Sequence, residues 1–318
     1  MRYALMTEPQ QGLAYDELLA LARTAEDAGI AAFFRSDHYA SFPGEAGKPT
    51  TDAWTTLAGL ARETSRIRLG VLVSPVTFRI PGTLSKVIQT VDEMSGGRVE
   101  AGFGAGWNLD EHDQLGIPFP PLGERFDRLE EQMAIIHGLW TQQDGWSYEG
   151  EHWRVRGARR HGDVARGGRL HPHVIFGGKG NPRLARLVAR YGDEFNLNSA
   201  SPDAAPAAYA RVREAARDEG RDPDQIVYSA MTGVLVAETA ADLRTRVADL
   251  LTAIGQGGGD GDAWLAERRG RWVMGTPDEA LDRVRALEAM GTERIMLQDL
   301  LPRDLDHVRL IGRIFRPS

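Results

Sequence analysis

The chain has 318 residues, 42% of them hydrophobic and 26% charged, the composition of a globular protein that buries about three quarters of its unfolded surface, so global disorder is excluded. Lys plus Arg number 38 and Asp plus Glu 45, and the net charge of −7 opposes a phosphate-lined nucleic-acid partner. Cysteine is absent, which excludes disulfides, thiolate nucleophiles, zinc ribbons and cysteine-held iron–sulfur clusters.

Short apolar runs alternate with stretches of helical period. Tyr3 to Met6 reads as a strand, and Met1 runs into it without a charged leader. Tyr15 to Ala28 reads as a helix with Leu18, Leu19, Ala22 and Ala25 on one face and Gly29 as its stop. The apolar run Ala31 to Phe34 follows, then a helix from Ala53 to Glu63 capped by Asp52, then a β-rich run from Ile67 to Val73. Pro81 suits the first turn of a helix ending near Met94, after which Ser95-Gly96-Gly97-Arg98 turns the chain into a strand from Val99 to Phe103. The later strands are Val174 to Phe176, Glu194 to Leu197, Ile226 to Val236 and Arg294 to Leu297.

Eight strand–helix pairs predict an α/β fold, a single (β/α)8 TIM barrel over residues 1–318. Two stretches break the rhythm and read as insertions, 140–172 and 256–272. In the first, Trp146, Tyr148, Trp153 and Val155 suit a hairpin packed on the barrel. Arg154, Arg156, Arg159, Arg160, Arg166 and Arg169 make it locally basic, either a solvated loop or a clamp for an acidic ligand. No run reaches the roughly 18 apolar residues of a membrane span, so a soluble, cytoplasmic protein without a membrane or nucleic-acid partner is expected.

In such a barrel the chemistry sits where strands end. The second strand ends in Arg35-Ser36-Asp37-His38-Tyr39, where an imidazole beside a carboxylate can orient a ligand or move a proton. After the third come Ser74-Pro75-Val76-Thr77-Phe78-Arg79, hydroxyls and a guanidinium without a nucleophile and its base. After the fourth lie Gly102-Phe103-Gly104-Ala105-Gly106-Trp107-Asn108, where small residues let a flat ring approach the backbone and Trp107 can form a wall. This cluster does not match the dinucleotide fingerprint.

The fifth strand leaves through Phe176-Gly177-Gly178-Lys179-Gly180-Asn181-Pro182. Asn181 can cap the next helix and Pro182 can open it, so unpaired amides at a positive terminus, with Lys179, make an anion cradle. His171-Pro172-His173, with His112 and Asp113 as further donors, brings a metal centre to mind. The pair precedes the fifth strand, at the wrong end for catalysis, and no metal is expected.

Taken in order, Ser36-Asp37-His38, Thr77-Phe78-Arg79 with Pro81, Ser95-Gly96-Gly97-Arg98, Gly102 to Asn108, Gly116 to Pro121 with Glu124-Arg125-Phe126, the Gly177-Gly178 loop and Gly275-Thr276-Pro277 span most of the chain. This ordered set resembles the bacterial luciferase-like superfamily, and within it the branch that uses the deazaflavin coenzyme F420. The resemblance implies a flavin-like ring at the strand C-termini near His38. Its cofactor-binding residues would be Asp37, His38, Leu72, Val73, Ser74, Gly104, Ala105, Gly106, Trp107, Asn108, Phe176, Gly177, Gly178, Lys179, Gly180 and Asn198. It also implies a non-proline cis peptide around Leu72, Val73 or Ser74.

The family's deazaflavin-dependent sugar-phosphate dehydrogenases carry a glutamate where this chain has Trp107, so the acid–base role falls to His38, to Glu111 or to water. The expected activity is hydride transfer between F420 and a small organic substrate, reducing C=C, C=N or C=O or oxidising an alcohol. The alternatives are an FMN-dependent two-component monooxygenase and a flavin-binding relative without catalysis. A homodimer and a separate F420 or flavin reductase are the expected partners. Trp264, Trp272 and Phe119 hint at an apolar or aromatic substrate lining.

Overall fold

The computed structural model describes residues 1–160, 169–198 and 204–315. The first half comprises β1 (Arg2–Thr7), α1 (Tyr15–Asp27), β2 (Ala32–Arg35), α2 (Ala53–Glu63), β3 (Arg68–Pro75), α3 (Pro81–Ser95) and β4 (Val99–Gly104). Next come α4 (Leu109–Leu115), α5 (Leu122–Thr141), β5 (Trp146–Glu149), β6 (Arg154–Ala158), β7 (His173–Gly178), α6 (Pro182–Tyr191), β8 (Glu194–Asn198), α7 (Ala205–Asp218) and β9 (Val227–Val236). The chain ends through α8 (Ala240–Ala253), α9 (Gly261–Arg268), β10 (Val273–Gly275), α10 (Pro277–Ala289), β11 (Arg294–Asp299) and α11 (Leu305–Ile314). Eight strands close a parallel barrel in the order β1-β2-β3-β4-β7-β8-β9-β11, with β11 pairing back onto β1, which is the expected (β/α)8 architecture.

Side chains alternate across each strand. Leu5, Phe33, Val71, Ala101, Phe103, Val174, Phe176 and Phe195 join the core beneath the helices, whereas Ala4, Met6, Ala32, Phe34, Leu72, Ile175 and Met296 form a separate cluster inside the barrel. Burial on both faces is why these strands read as unbroken apolar runs. Large and small residues interlock within the barrel: a Cβ on Gly70 would lie 2.3 Å from the Phe34 ring.

The lower end of the barrel, where the strands begin, is closed by charge. Buried Arg294 donates to Glu100 at 2.6 Å and to Glu194 at 3.0 Å. His173 meets Glu194 at 2.9 Å, and Arg68 also pairs with Glu100. Glu100, His173 and Glu194 have the proximity of a metal-ligand set. The guanidinium bridging both carboxylates already supplies the compensating positive charge, so the group is an ion-paired plug.

The first insertion contains the expected hairpin, β5 antiparallel to β6. It lies along the outer flank of α5: Trp146 covers Gly138, and Glu131 accepts from the backbone N–H groups of Glu151, His152 and Trp153. The hairpin leads into the lower end of β7, away from the strand C-termini. Arg154 pairs with Glu149 of the same hairpin and Arg169 with Asp193, so of the two readings, a solvated loop or a clamp for an acidic ligand, the clamp does not hold for these two residues. Arg166 lies outside the described residues.

The second insertion folds as α9, whose Trp264 and Leu265 pack with Leu235, Val247, Leu250 and Met274 in a satellite core. Trp264 is therefore buried packing and not substrate lining. The short strand β10, which the apolar pattern did not signal, pairs with the last three residues of β9.

Candidate active site

The site begins with what the end of β2 holds in place. Arg35 is fully buried and donates to the Ser36 carbonyl at 3.0 Å, the Thr51 hydroxyl at 3.0 Å and the Thr51 carbonyl at 2.8 Å, folding the loop 39–52 back over the strand. Desolvation by burial lowers the Arg35 pKa to about 10, against the pull of Asp37 and Asp52. Arg79 donates to both oxygens of Asp37, at 2.5 and 3.1 Å, to the Tyr39 hydroxyl at 2.8 Å, and to Asp52. Burial pushes the Asp52 carboxyl up, but Arg79, the Tyr39 hydroxyl and the Thr55 N–H outweigh it and hold Asp52 below the ordinary carboxylate range. Burial and the Asp52 contact raise the Tyr39 phenol, so it stays protonated.

On this frame His38 faces outward to the mouth. Its Nδ1 lies 3.0 and 3.1 Å from the two oxygens of Glu111, which also accepts the Tyr39 N–H at 2.9 Å. A carboxylate accepts only, so Nδ1 carries a proton, and in the neutral tautomer this fixes, Nε2 presents its lone pair. No hydrogen bond occupies Nε2 among the described residues. Glu111 is brought here by α4, which Asn108 opens by accepting the Asp110 N–H at 3.2 Å.

The neighbouring His112 turns the other way. It is fully buried, with Nδ1 2.6 Å from the Asn108 carbonyl and Nε2 2.7 Å from the Thr77 hydroxyl, so both ring nitrogens have partners. Two rings flank His38 edge to face, Phe42 at 4.6 Å and Trp107 at 5.6 Å, and they meet each other at 5.3 Å.

The floor of the mouth is Val73. The Leu72–Val73 peptide is cis, within the expected stretch, and the β3–β4 register shifts between Val71 and Ser74. A Cβ added to Gly104 would lie 2.6 Å from Val73 Cγ2, and one on Gly177 2.8 Å from Val73 Cγ1. The glycines of β4 and β7 thus make room first for a valine. Ser74 is fully buried and accepts from the Trp54 indole at 2.9 Å.

On β7, the expected helix entry is present: Asn181 caps α6 by accepting the Leu184 N–H at 2.9 Å, and Pro182 opens the helix. Gly180 takes φ +66°, where a side chain would be strained and would meet Phe195. Lys179 is exposed and unpaired among the described residues.

The structure brings together His38, Glu111, Val73, Gly104, Gly106 and Trp107 at the mouth. Leu72 lines the barrel interior, Gly177 and Gly178 end β7, and Lys179 and Gly180 lie in the turn that leads to α6. Asn198 lies at the C-terminal end of β8, opposite Met231 of β9. Three expected contacts are corrected. Both Asp37 oxygens are taken by Arg79, so this residue positions its neighbour and does not face a ligand. The Phe176 ring is buried under the helices beside Phe103, so only its backbone reaches the mouth. Asn108 is a buried helix cap. Phe119 packs between Arg125 and His112.

Sequence reasoning missed a polar network at the ends of β1 and β11. Glu8 accepts from Gln298 at 2.6 Å and from Gln10 at 2.8 Å, and Gln10 in turn accepts from the Ser36 hydroxyl at 2.6 Å. Its available signal was position alone, immediately after the first strand. Cavities of about 300 Å³ and 420 Å³ lie on the outer flank beside α11, lined by groups such as Asp27 and Arg309 or Asp242 and Arg246, and neither touches the His38–Glu111 pair.

Comparisons with known proteins bear on this arrangement. The chain is similar to the F420-dependent glucose-6-phosphate dehydrogenase of Mycolicibacterium fortuitum, 33% identical over 215 residues, which is 66% of this chain and 62% of that protein. The chain spans between 51% and 62% of the length of the curated relatives it matches, uncharacterised mycobacterial proteins among them. Among solved structures, an F420-dependent secondary alcohol dehydrogenase in complex with an F420–acetone adduct superposes with a TM-score of 0.81 at 18% identity, covering 99% of this chain and 98% of the other. The monooxygenase RslO1 from Streptomyces bottropensis does so with a TM-score of 0.81 at 24% identity, covering 99% and 97%. At these identities both share the fold. The profile of the luciferase-like monooxygenase family matches residues 1–294, and the chain belongs to that family.

Proposed function

We propose that this protein is an F420-dependent oxidoreductase that transfers a hydride between the deazaflavin coenzyme and a small organic substrate. The observation that carries this reading is the His38–Glu111 pair, its Nε2 open, after the C-terminal end of β2, with the neighbouring strand β3 carrying Val73. The relatives named for F420-dependent dehydrogenation support the choice of coenzyme.

The residues present fit such a group. Val73 and the glycines around it give an apolar floor for a planar ring. The entry to α6 offers amides and the unpaired Lys179 to an anionic substituent. When bound, the deazaflavin supplies or accepts the hydride. His38 holds or releases one proton at Nε2, and Glu111 fixes its tautomer through Nδ1 and steadies the charged ring. The walls of Phe42 and Trp107 align the substrate and keep water from the imidazole.

The test is a spectral titration of the purified protein with F420 and with FMN in parallel. Tight F420 binding, weakened by salt and by Lys179→Ala, is expected. Tight FMN binding without F420 binding reverses the reading in favour of a two-component monooxygenase.

A further inference from the structure

Trp107 carries two-thirds of its surface exposed, and it is nonetheless fixed on two sides by aromatic contacts. With Phe42 it forms a corner whose third side is the His38 ring. The interplanar angles of 75° to 80° set the three rings close to mutually perpendicular. An exposed indole held in this way serves neither the core nor the loop scaffold, since Arg35 and Arg79 already fix the loop. Trp272 packs over Gly233 of β9, where a Cβ would sit 2.2 Å from the indole, and meets Trp264 at 5.1 Å.

The charges around the corner are engaged. Arg79 is bound by Asp37, Asp52 and the Tyr39 hydroxyl, and Arg35 by Thr51 and Ser36. Arg125 donates to the Gly106 carbonyl at 2.5 Å and the Pro120 carbonyl at 3.0 Å. Glu111, buried behind His38 on the Nδ1 side, adds a carboxylate close to the corner. Among the described residues, a phosphorylated or carboxylated substrate would find no free guanidinium at this corner, and the Glu111 carboxylate behind the imidazole would oppose it. An apolar ring would gain edge and face contacts on two walls.

We infer that this site takes a neutral, apolar substrate, an aryl ketone or its alcohol, seated against Trp107 and Phe42 with its oxygen at His38 Nε2. The inference rests on the active-site reading above and narrows it to a substrate class. Trp107 and Phe42 are its specificity-determining residues.

The test is calorimetric titration with 1-phenylethanol and, separately, with glucose 6-phosphate. It uses the chain loaded with whichever of F420 or FMN binds, or the bare chain if neither does, so failure of the coenzyme assignment and failure of the substrate assignment are separate results. Expected is binding of 1-phenylethanol that is insensitive to salt, weakened about tenfold by Trp107→Ala and less by Trp107→Phe, with no binding of the sugar phosphate. Circular dichroism of both variants checks that the exposed substitution leaves the fold intact. Tighter binding of glucose 6-phosphate than of 1-phenylethanol, or an unchanged affinity for 1-phenylethanol in folded Trp107→Ala, overturns the inference.

Discussion

His38 and Glu111 divide one task between two side chains. Replacing His38 by Gln removes the open Nε2, and kcat is expected to fall about 10²- to 10⁴-fold while coenzyme affinity holds, measured by steady-state kinetics beside spectral titration. Unchanged turnover removes His38 from the mechanism. Glu111→Gln keeps an acceptor for the Tyr39 N–H, so kcat should drop with KM steady. Glu111→Ala frees the loop as well, and KM should rise too. A KM that stays put in Glu111→Ala would show that the loop does not depend on this contact. His38 was legible because it lies just past the end of an apolar strand, whereas Glu111 emerged only through the family resemblance. The two are 73 positions apart and meet only when α4 packs over β2. Glu8 and Gln298, 290 positions apart, left no local pattern at all.

At the scale of elements, β3, β4 and β7 are coupled through Val73. Gly104→Ala places a methyl group 2.6 Å from Val73 Cγ2, and a loss of about 1–3 kcal/mol is expected in denaturant unfolding. Val73→Ala removes the obstructing atoms, so the double variant should lose clearly less than the sum of the two single changes. Simple additivity would mean that the strands part without involving Val73. The sequence shows small residues at these positions and suggests a ligand's approach, but their tertiary partner is a side chain from another strand. The eight barrel strands were readable from apolar runs bounded by turns. Three-residue β10 was not, because a strand that short has no period to detect. The basic hairpin was readable as a hairpin. Its place on α5 depends on Glu131 and Gly138, which carry no such message in isolation.

For the molecule as a whole, the ion-paired plug predicts the response to acid. Burial pushes the Glu100 and Glu194 carboxyls up, but Arg294 and His173 outweigh it and hold both below their ordinary value. A carboxylate lowered on folding contributes stability above its unfolded pKa of about 4.3 and loses it as pH falls through the folded value. Unfolding free energy should therefore be level near neutrality and decline below about pH 4.3. Arg294→Met leaves two buried carboxylates with only Arg68 and His173 as partners and should cost about 3–5 kcal/mol at pH 7, with the gap narrowing in acid as they protonate. An equal gap at pH 7 and pH 4 would show that the guanidinium acts by packing alone.

Closing that end also makes the barrel a cup with a single rim. Val73 lies beside the inner cluster while Trp107 stands exposed at the rim, so on the proposed reading the coenzyme is expected to enter before the substrate and to leave after it, an order favoured by a guanidinium at the far end of the strands.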